Sequence, residues 1–596
     1  MAGKAAGDAA HIQWLGMSSG AFCTDIGAIL AQARESSVGW AKQFGNIAKS
    51  GVNAHGEAAG ASNAWANAFQ ELSEAWATAW KNDKACTSAL ADISEEARIA
   101  SVAWKEAFDE LSVLQVPFAA GAAVSASNTW AYSFVVIFSS FASSIGEAHD
   151  TACVDVKDFA AVYQEVNEKM LNAMLGWASH FRSYDGTSYG EKASAVNSWA
   201  DTLQRAADVI NSASGTWAAG CQVSATEAEV ASSAVAYLTS NFSSRLVTAS
   251  EAWTKTFQGC AVHKACLASA ASASNTWASI TFSFAFGQAS EKWRWSALDT
   301  DEAMVEKAAE VWASRLSEVI HGARLEAVVW SKLFYGSETL GVDTIAPFAA
   351  SASNTWAWCF QTFGSALFMA SETWSSSLTK ASATWTVAYQ EVALQMEPAM
   401  KAWSYGFLSS SSDLALSQAA SASNSWVFAL TMLSHHVSHI AHMHGKLGDE
   451  TMQGYLNVSN EWAQSFLTIA QTANETATQW VKAFSSAPEE LSDAASGSML
   501  SSADSWAYLL SQISERTVVA GHTWTTRCEG CDDTWIAVED FLLLVASSSN
   551  SPGRVWTELL GLSEFPDSWL NAIFEIKHGK KRLPHQDVDM VPNPAF

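Results

Sequence analysis

A ten-residue pattern returns along this chain at a nearly constant interval, and it limits the possible folds more than any other feature. Ser351 to Phe360 reads SASNTWAWCF, Ser125 to Phe134 SASNTWAYSF, Ser272 to Phe282 SASNTWASITF and Ser421 to Leu430 SASNSWVFAL. Weaker copies occupy Ala61 to Phe69, Val196 to Leu203 and Ala503 to Leu510. The tryptophans at their centres are Trp65, Trp130, Trp199, Trp277, Trp356, Trp426 and Trp506. Each comes about two dozen positions after the tryptophan of a second signature, Trp-x-x-x-Phe. Those tryptophans are Trp40, Trp104, Trp177, Trp253, Trp330, Trp403 and Trp480. Self-similarity at a period of roughly 75 residues marks a tandem array of one supersecondary unit.

A finer period identifies the unit. Trp199, Trp217, Val235 and Trp253 are eighteen positions apart at every step, as are Trp426, His444, Trp462 and Trp480. That step is about five turns at about 3.6 residues per turn, so such rings share one helix face. A phenylalanine four places after a tryptophan is its one-turn neighbour on that face. Alanine and serine flank nearly every tryptophan, small side chains that let a second helix approach while the indole fills the gap. The expected fold is all-α: tandem helical repeats, about seven units of roughly 75 residues, forming an elongated solenoid or rod.

Chain length decides how a unit folds. An unbroken helix of the roughly 50 to 60 residues between connectors would run roughly 80 Å. A connector of about 20 residues reaches about 70 Å at full stretch. Two antiparallel helices per unit close the path more easily, one starting at Asn-x-Trp and one ending at Trp-x-x-x-Phe. Gly220, Gly445, Gly448 and Gly454 suit the turns between them. Pro117 and Pro347 each open a Pro-Phe-Ala-Ala run and fit the first turn of a new helix, with Asp343 or Thr344 as a cap for the second. Gly51 to Gly60 and Ser409 to Ser412 read as connectors, and Pro398 as a kink. The expected organisation is entry helices over residues 1–50, repeats over 51–524, a capping element over 525–576 and a tail over 577–596. That tail is basic at first (Lys577 to Arg582) and then carries prolines.

With 60 acidic against 33 basic residues, the formal net charge is −27. Such a surface repels nucleic acid and anionic lipid. The nine cysteines are scattered, most of them through Ala/Ser-rich helical pattern, where a free thiol acts as a small hydrophobe. They point to free thiols in a reducing compartment. Residues 1–8 lack the apolar run of a secretory signal, so an intracellular location is the expectation. Leu111 to Gly146, Ala265 to Ser290 and Thr344 to Ser371 carry no charge and are long enough to cross a bilayer. They are also full of serine, threonine and asparagine and lack consistent basic flanks, so buried helices of a soluble array are expected.

Little in the chain suggests chemistry. His435 and His439 are one turn apart with His442 near the same face, a spacing able to hold a transition metal. His444 takes a stripe position filled elsewhere by tryptophan, which favours packing. Cys528 and Cys531 have zinc or redox spacing without a second pair, and Cys260, His263 and Cys266 lack a fourth ligand. No phosphate loop, dinucleotide fingerprint or nucleophile elbow occurs. No catalytic residue and no cofactor are therefore expected. The expectation is a non-enzymatic scaffold that binds copies of itself or other proteins. The alternatives are a carrier or coat that holds lipid or pigment on its Trp/Phe/Ala faces, and a membrane-embedded or metal-linked helical protein.

Overall fold

Alanine-rich windows with few internal glycines or prolines have high helix propensity, and in this chain they form long helices. The structure, a computed structural model, describes residues 19–51, 53–80, 88–112, 119–146, 156–184, 188–220, 225–279, 302–335, 340–375, 379–444, 452–487 and 492–525. In order, the helices are α1 (Ser19–Lys49), α2 (His55–Trp80), α3 (Ala89–Ser112), α4 (Ala119–Gly146), α5 (Val156–Ser183), α6 (Tyr189–Gly220) and α7 (Ala225–Thr254). They continue with α8 (Lys264–Ser279), α9 (Glu302–Ser331), α10 (Val342–Ser375), α11 (Thr379–Ser404), α12 (Asp413–His444), α13 (Met452–Phe484) and α14 (Asp493–Thr525). Single 3₁₀ turns holding Phe257, Phe334 and Phe407 extend α7, α9 and α11. Among the described residues there is no strand.

Each helix packs mainly against the helix two places along, and less against its immediate neighbours. The array therefore has two rows. The even-numbered helices form one row, the A row, and each carries an Asn-x-Trp tryptophan (an aspartate replaces the asparagine in α14). The odd-numbered helices form the B row, and each carries a Trp-x-x-x-Phe tryptophan. Within a row the helices run parallel and in register: between α2 and α4, Asn63 donates to Ser125, Gln70 to Ser133, and Ser140 meets Ser73. Across rows they run antiparallel, as when His55 at the start of α2 meets the Leu111 carbonyl at the end of α3 at 3.0 Å. The molecule is a two-row α-helical solenoid.

Three details differ from the sequence reading. The A helices begin about three to four turns before their tryptophans, so Asn-x-Trp is a mid-helix motif and not a start. Its asparagine caps nothing, because its amide is used on the next helix. Gly56, Gly60 and Gly454 accordingly lie inside helices, and Pro347 sits one turn deeper than a first-turn proline. Asp343 and Thr344 fall within the first turn of α10, where Asp343 accepts the Ser412 hydroxyl. The eighteen-residue series also cross a turn, since Trp199 and Trp217 are on α6 while Val235 and Trp253 are on α7. The described part of residues 1–50 is the single helix α1, which holds the first B position. Residues 526–596, with the expected cap and tail, lie outside the described residues, as do Pro117, Gly445 and Gly448.

All fourteen repeat tryptophans are buried. At each described seam of the B row, the phenylalanine one turn after a tryptophan packs against the tryptophan of the next unit. Phe44 meets Trp104 at 5.7 Å, Phe108 meets Trp177 at 5.9 Å and Phe181 meets Trp253 at 6.1 Å. Phe257 meets Trp330 at 6.2 Å, Phe334 meets Trp403 at 5.7 Å and Phe407 meets Trp480 at 5.7 Å. Phe69 with Trp130 and Phe360 with Trp426 repeat the arrangement in the A row. Tilted pairs at such distances contribute roughly 0.5–1.5 kcal/mol each beyond the area they bury. The described parts of the three uncharged stretches fall mainly on α4, α8 and α10, all A helices. Among the described residues no helix is long and apolar enough to cross a membrane, so the membrane-spanning alternative finds no support in these helices.

Candidate functional site

Burying an indole leaves its N–H in need of an acceptor, and the repeat supplies one from the preceding unit. Trp130 Nε1 donates to Ser62 Oγ at 3.0 Å, Trp199 to Ser127 at 3.1 Å, Trp356 to Ser274 at 3.1 Å, Trp426 to Ser353 at 3.0 Å and Trp506 to Ser423 at 2.9 Å. The B row does the same: Trp104 to Ser37, Trp177 to Ser101, Trp312 to Ser232 and Trp330 to Ser250. The acceptor always lies three places before the stripe position of its own helix. Where that residue is not serine, the bond is missing. Met174, Ala327 and Met400 stand in the acceptor positions for Trp253, Trp403 and Trp480, whose buried N–H groups have no partner among the described residues. Sequence reasoning treats this serine only as a small spacer, although its signal is present in the constant Ser-x-x-Trp spacing.

A second ladder runs nearer the surface. The asparagine two before each A-row tryptophan donates its amide to the serine five before the next one: Asn128 to Ser194 at 3.1 Å, Asn275 to Ser351 at 2.9 Å, Asn354 to Ser421 at 3.2 Å and Asn424 to Ser501 at 3.1 Å.

Both ladders fail at one seam. Between α6 and α8 the acceptor position is Val196, and no hydrogen bond joins Asn197 to Ser272. A shallow groove open to solvent lies there, lined by Ser194, Asn197, Ser198, Asp201, Ser269 and Ser272 among others. Trp277 turns instead to the Glu326 carboxyl on α9, to which its N–H donates. Glu326 is buried beside a cavity of about 20 Å³ that Ser243, Trp277 and Cys359 also line. Burial pushes its carboxyl up to about 8, against the smaller opposing effect of the Trp277 bond. It is a neutral acid at pH 7.

The outward face of the A row is the most distinctive surface. Two places after the buried tryptophan the side chain points to solvent. On α4, α10, α12 and α14 this position holds Tyr132, Trp358, Phe428 and Tyr508, exposed by 57, 47, 53 and 57%. The last three fall on consecutive A helices in one register and form a row. The equivalent B-row residues are mostly polar: Lys42, Glu106, Ser179, Lys255, Lys332 and Lys482, with Tyr405 the aromatic exception. The surroundings of the A-row rings are also unusual for a chain of net charge −27. Thr344 to Ser371 and Leu414 to His444 contain no aspartate, glutamate, lysine or arginine.

The histidine cluster lies on α12. His436 is stacked on Phe368 at 4.8 Å, and His439 meets the same ring edge-on at 5.2 Å. Burial, more than the neighbouring His435, lowers His436 to about 3, and burial also lowers His435. Arg516 of α14 donates to the Thr431 carbonyl at 2.8 Å and to Ser434, which puts a fixed positive charge beside His435. Among the described residues no group of three or more His, Cys, Asp or Glu could hold a metal ion, so His435, His439 and His442 do not form the expected site. Cys528 and Cys531 lie outside the described residues. Cys260 and Cys266 form a disulfide with Cα atoms 5.0 Å apart, which corrects the expectation of free thiols at these two positions and removes them as metal ligands.

These features define an α-helical repeat protein whose units are riveted by side-chain ladders. No family model matches the chain, and no curated protein does. Among solved structures, a circular tandem repeat protein described as having a novel repeat topology and enhanced subunit contact surfaces aligns with 85% of this chain and 98% of its own, at 10% identity and a TM-score of 0.16. A superposition that loose carries no argument about this chain.

Proposed function

We propose that the chain is a non-enzymatic scaffold, a helical repeat array whose A-row face docks other protein surfaces. The observation that supports this reading is the row of exposed rings on a face that is free of charge over α10 and α12, in an otherwise acidic molecule. Exposed apolar patches of this kind mark interaction sites, and aromatic residues with few charges characterise interface centres. The two ladders hold consecutive helices in register, which presents the rings at fixed intervals of one interhelical distance, about 8–10 Å. The carrier alternative finds no such support: the Trp/Phe/Ala faces that would hold lipid or pigment are the core, with Trp65, Trp130 and Trp426 fully enclosed.

The test is the state of the protein recovered from its native source under non-denaturing conditions. A scaffold is expected in a stoichiometric assembly larger than one chain. Recovery of the whole population as single free chains overturns the reading.

A further inference from the structure

We propose that the face formed by α10, α12 and α14 pairs with the same face of a second copy of this chain, the aromatic row Trp358–Phe428–Tyr508 lying against itself. This deepens the scaffold reading and rests on it. Three observations select a second copy over other occupants.

The first is charge. Two copies carrying −27 each repel one another wherever their acidic surfaces meet. The A-row face over α10 and α12 has no full charge from Thr344 to Ser371 or from Leu414 to His444, so it is a place where like molecules approach without that penalty. On α14, Asp504 lies one turn before Tyr508 and Glu515 two turns after it on the same side, so the charges of this face are confined to its α14 edge.

The second is area. The three helices contain 34, 32 and 33 residues, so each is roughly 50 Å long at about 1.5 Å per residue. At interhelical spacings of about 8–10 Å they offer on the order of 1,000 Å² of surface. A specific interface needs about 800 Å² from each partner.

The third is symmetry. Two-fold pairing demands a patch complementary to itself. A row of rings at one register on three parallel helices meets that demand: a two-fold axis lying in the face through Phe428 and across the row brings the rings of one copy over those of the other. Phe428 then faces its own counterpart. The rings supply large contact area at low entropy cost, and the Asn354–Ser421 and Asn424–Ser501 rungs beside them offer amide and hydroxyl groups for hydrogen bonds across the contact.

Sedimentation velocity of the full chain over a wide concentration range tests the pairing. The wild-type protein is expected to form a reversible dimer that tightens as added salt screens the acidic remainder. Phe428→Glu and Phe428→Lys are both expected to sediment as monomers with unchanged helicity, because position 428 is solvent-exposed. Mixed in equal amounts they are expected to re-form a dimer, as Glu of one copy meets Lys of the other. A wild-type monomer at every concentration overturns the pairing; if native material is still a larger assembly, the scaffold reading survives with a different partner. Charged variants that dimerise like the wild type, or a mixture that stays monomeric, overturn the assignment of Phe428 to the two-fold.

Discussion

The indole of Trp277 on α8 bonds to the carboxyl of Glu326 on α9, across rows, whereas Trp130, Trp199, Trp356, Trp426 and Trp506 all bond within the A row. Val196 explains the exception. A valine cannot accept the N–H that a serine would take, and a carboxyl of the opposite row takes it instead.

That substitution has a pH signature. Glu326 titrates near 8 in the fold against an ordinary value of 4.5. Below about 4.5 both folded and unfolded chains hold the proton. Between the two values the unfolded chain has released it while the folded one keeps it, so stability falls as pH rises through this window and levels off above it. Glu326→Gln keeps an acceptor for Trp277 and removes the titration. The variant is expected to gain on the wild type by about 3–4 kcal/mol between pH 5 and pH 8. Urea unfolding of both proteins across that range is the check, and parallel pH curves would refute it.

The serine ladder predicts opposite effects at two seams. Ser353→Ala strands the buried N–H of Trp426 and is expected to cost about 1–3 kcal/mol. Ala327→Ser places a hydroxyl where Trp403 now has no acceptor, and is expected to stabilise by about 1 kcal/mol. Thermal unfolding of the two variants reads both signs. A loss at both positions would mean that packing, not hydrogen bonding, governs the site.

Lys192 is buried on α6, with its ammonium 3.0 Å from the Tyr184 carbonyl and 3.1 Å from that of Thr256. It ties the C-terminal ends of α5 and α7 together, where a positive charge also meets the negative end of each helix dipole. Lys192→Met preserves the aliphatic stem and removes the charge. It is expected to cost about 2–3 kcal/mol and to raise amide exchange in the last turns of both helices.

Gly259 and Ser409 occupy matching turns, six places after Trp253 and Trp403, and both have positive φ, 85° and 69°. Glycine adopts this conformation without strain and serine does not. Ser409→Gly is expected to raise the melting temperature slightly and Gly259→Ala to lower it, each by an amount equivalent to about 1 kcal/mol.

The repeat, the helical content and the buried stripe are legible because they depend on spacing, and spacing survives in a bare sequence. By spacing alone, Trp65 through Trp506 fall on one kind of helix and Trp40 through Trp480 on the other. Helix starts are less legible. Asn63 or Asn354 looks like a boundary residue, yet its amide is engaged by Ser125 or Ser421 on the next helix of the row, a long-range contact that overrides local preference. The exposed ring two places after an A-row tryptophan is hidden for a related reason: an aromatic beside an aromatic reads as one apolar cluster until the helix turns them to opposite sides. His435 and His439 have chelating spacing, but the cost of setting a cation beside Arg516 depends on α14, a helix that arrives only after α13 has intervened. The Cys260–Cys266 pair is obscured by the scatter of the other seven cysteines.

Apart from the Trp277–Glu326 bond, each indole rung joins a helix only to its counterpart in the adjacent unit, so α10 donates to the pair before it through Trp356 and accepts from the pair after it through Ser353. A duplicated copy of α10 and α11 would find its A-row partner already in place, with Ser353 of one copy waiting for Trp356 of the next. The array can therefore be lengthened or shortened by whole pairs, since every rung is set by the same spacing within a pair and its neighbour.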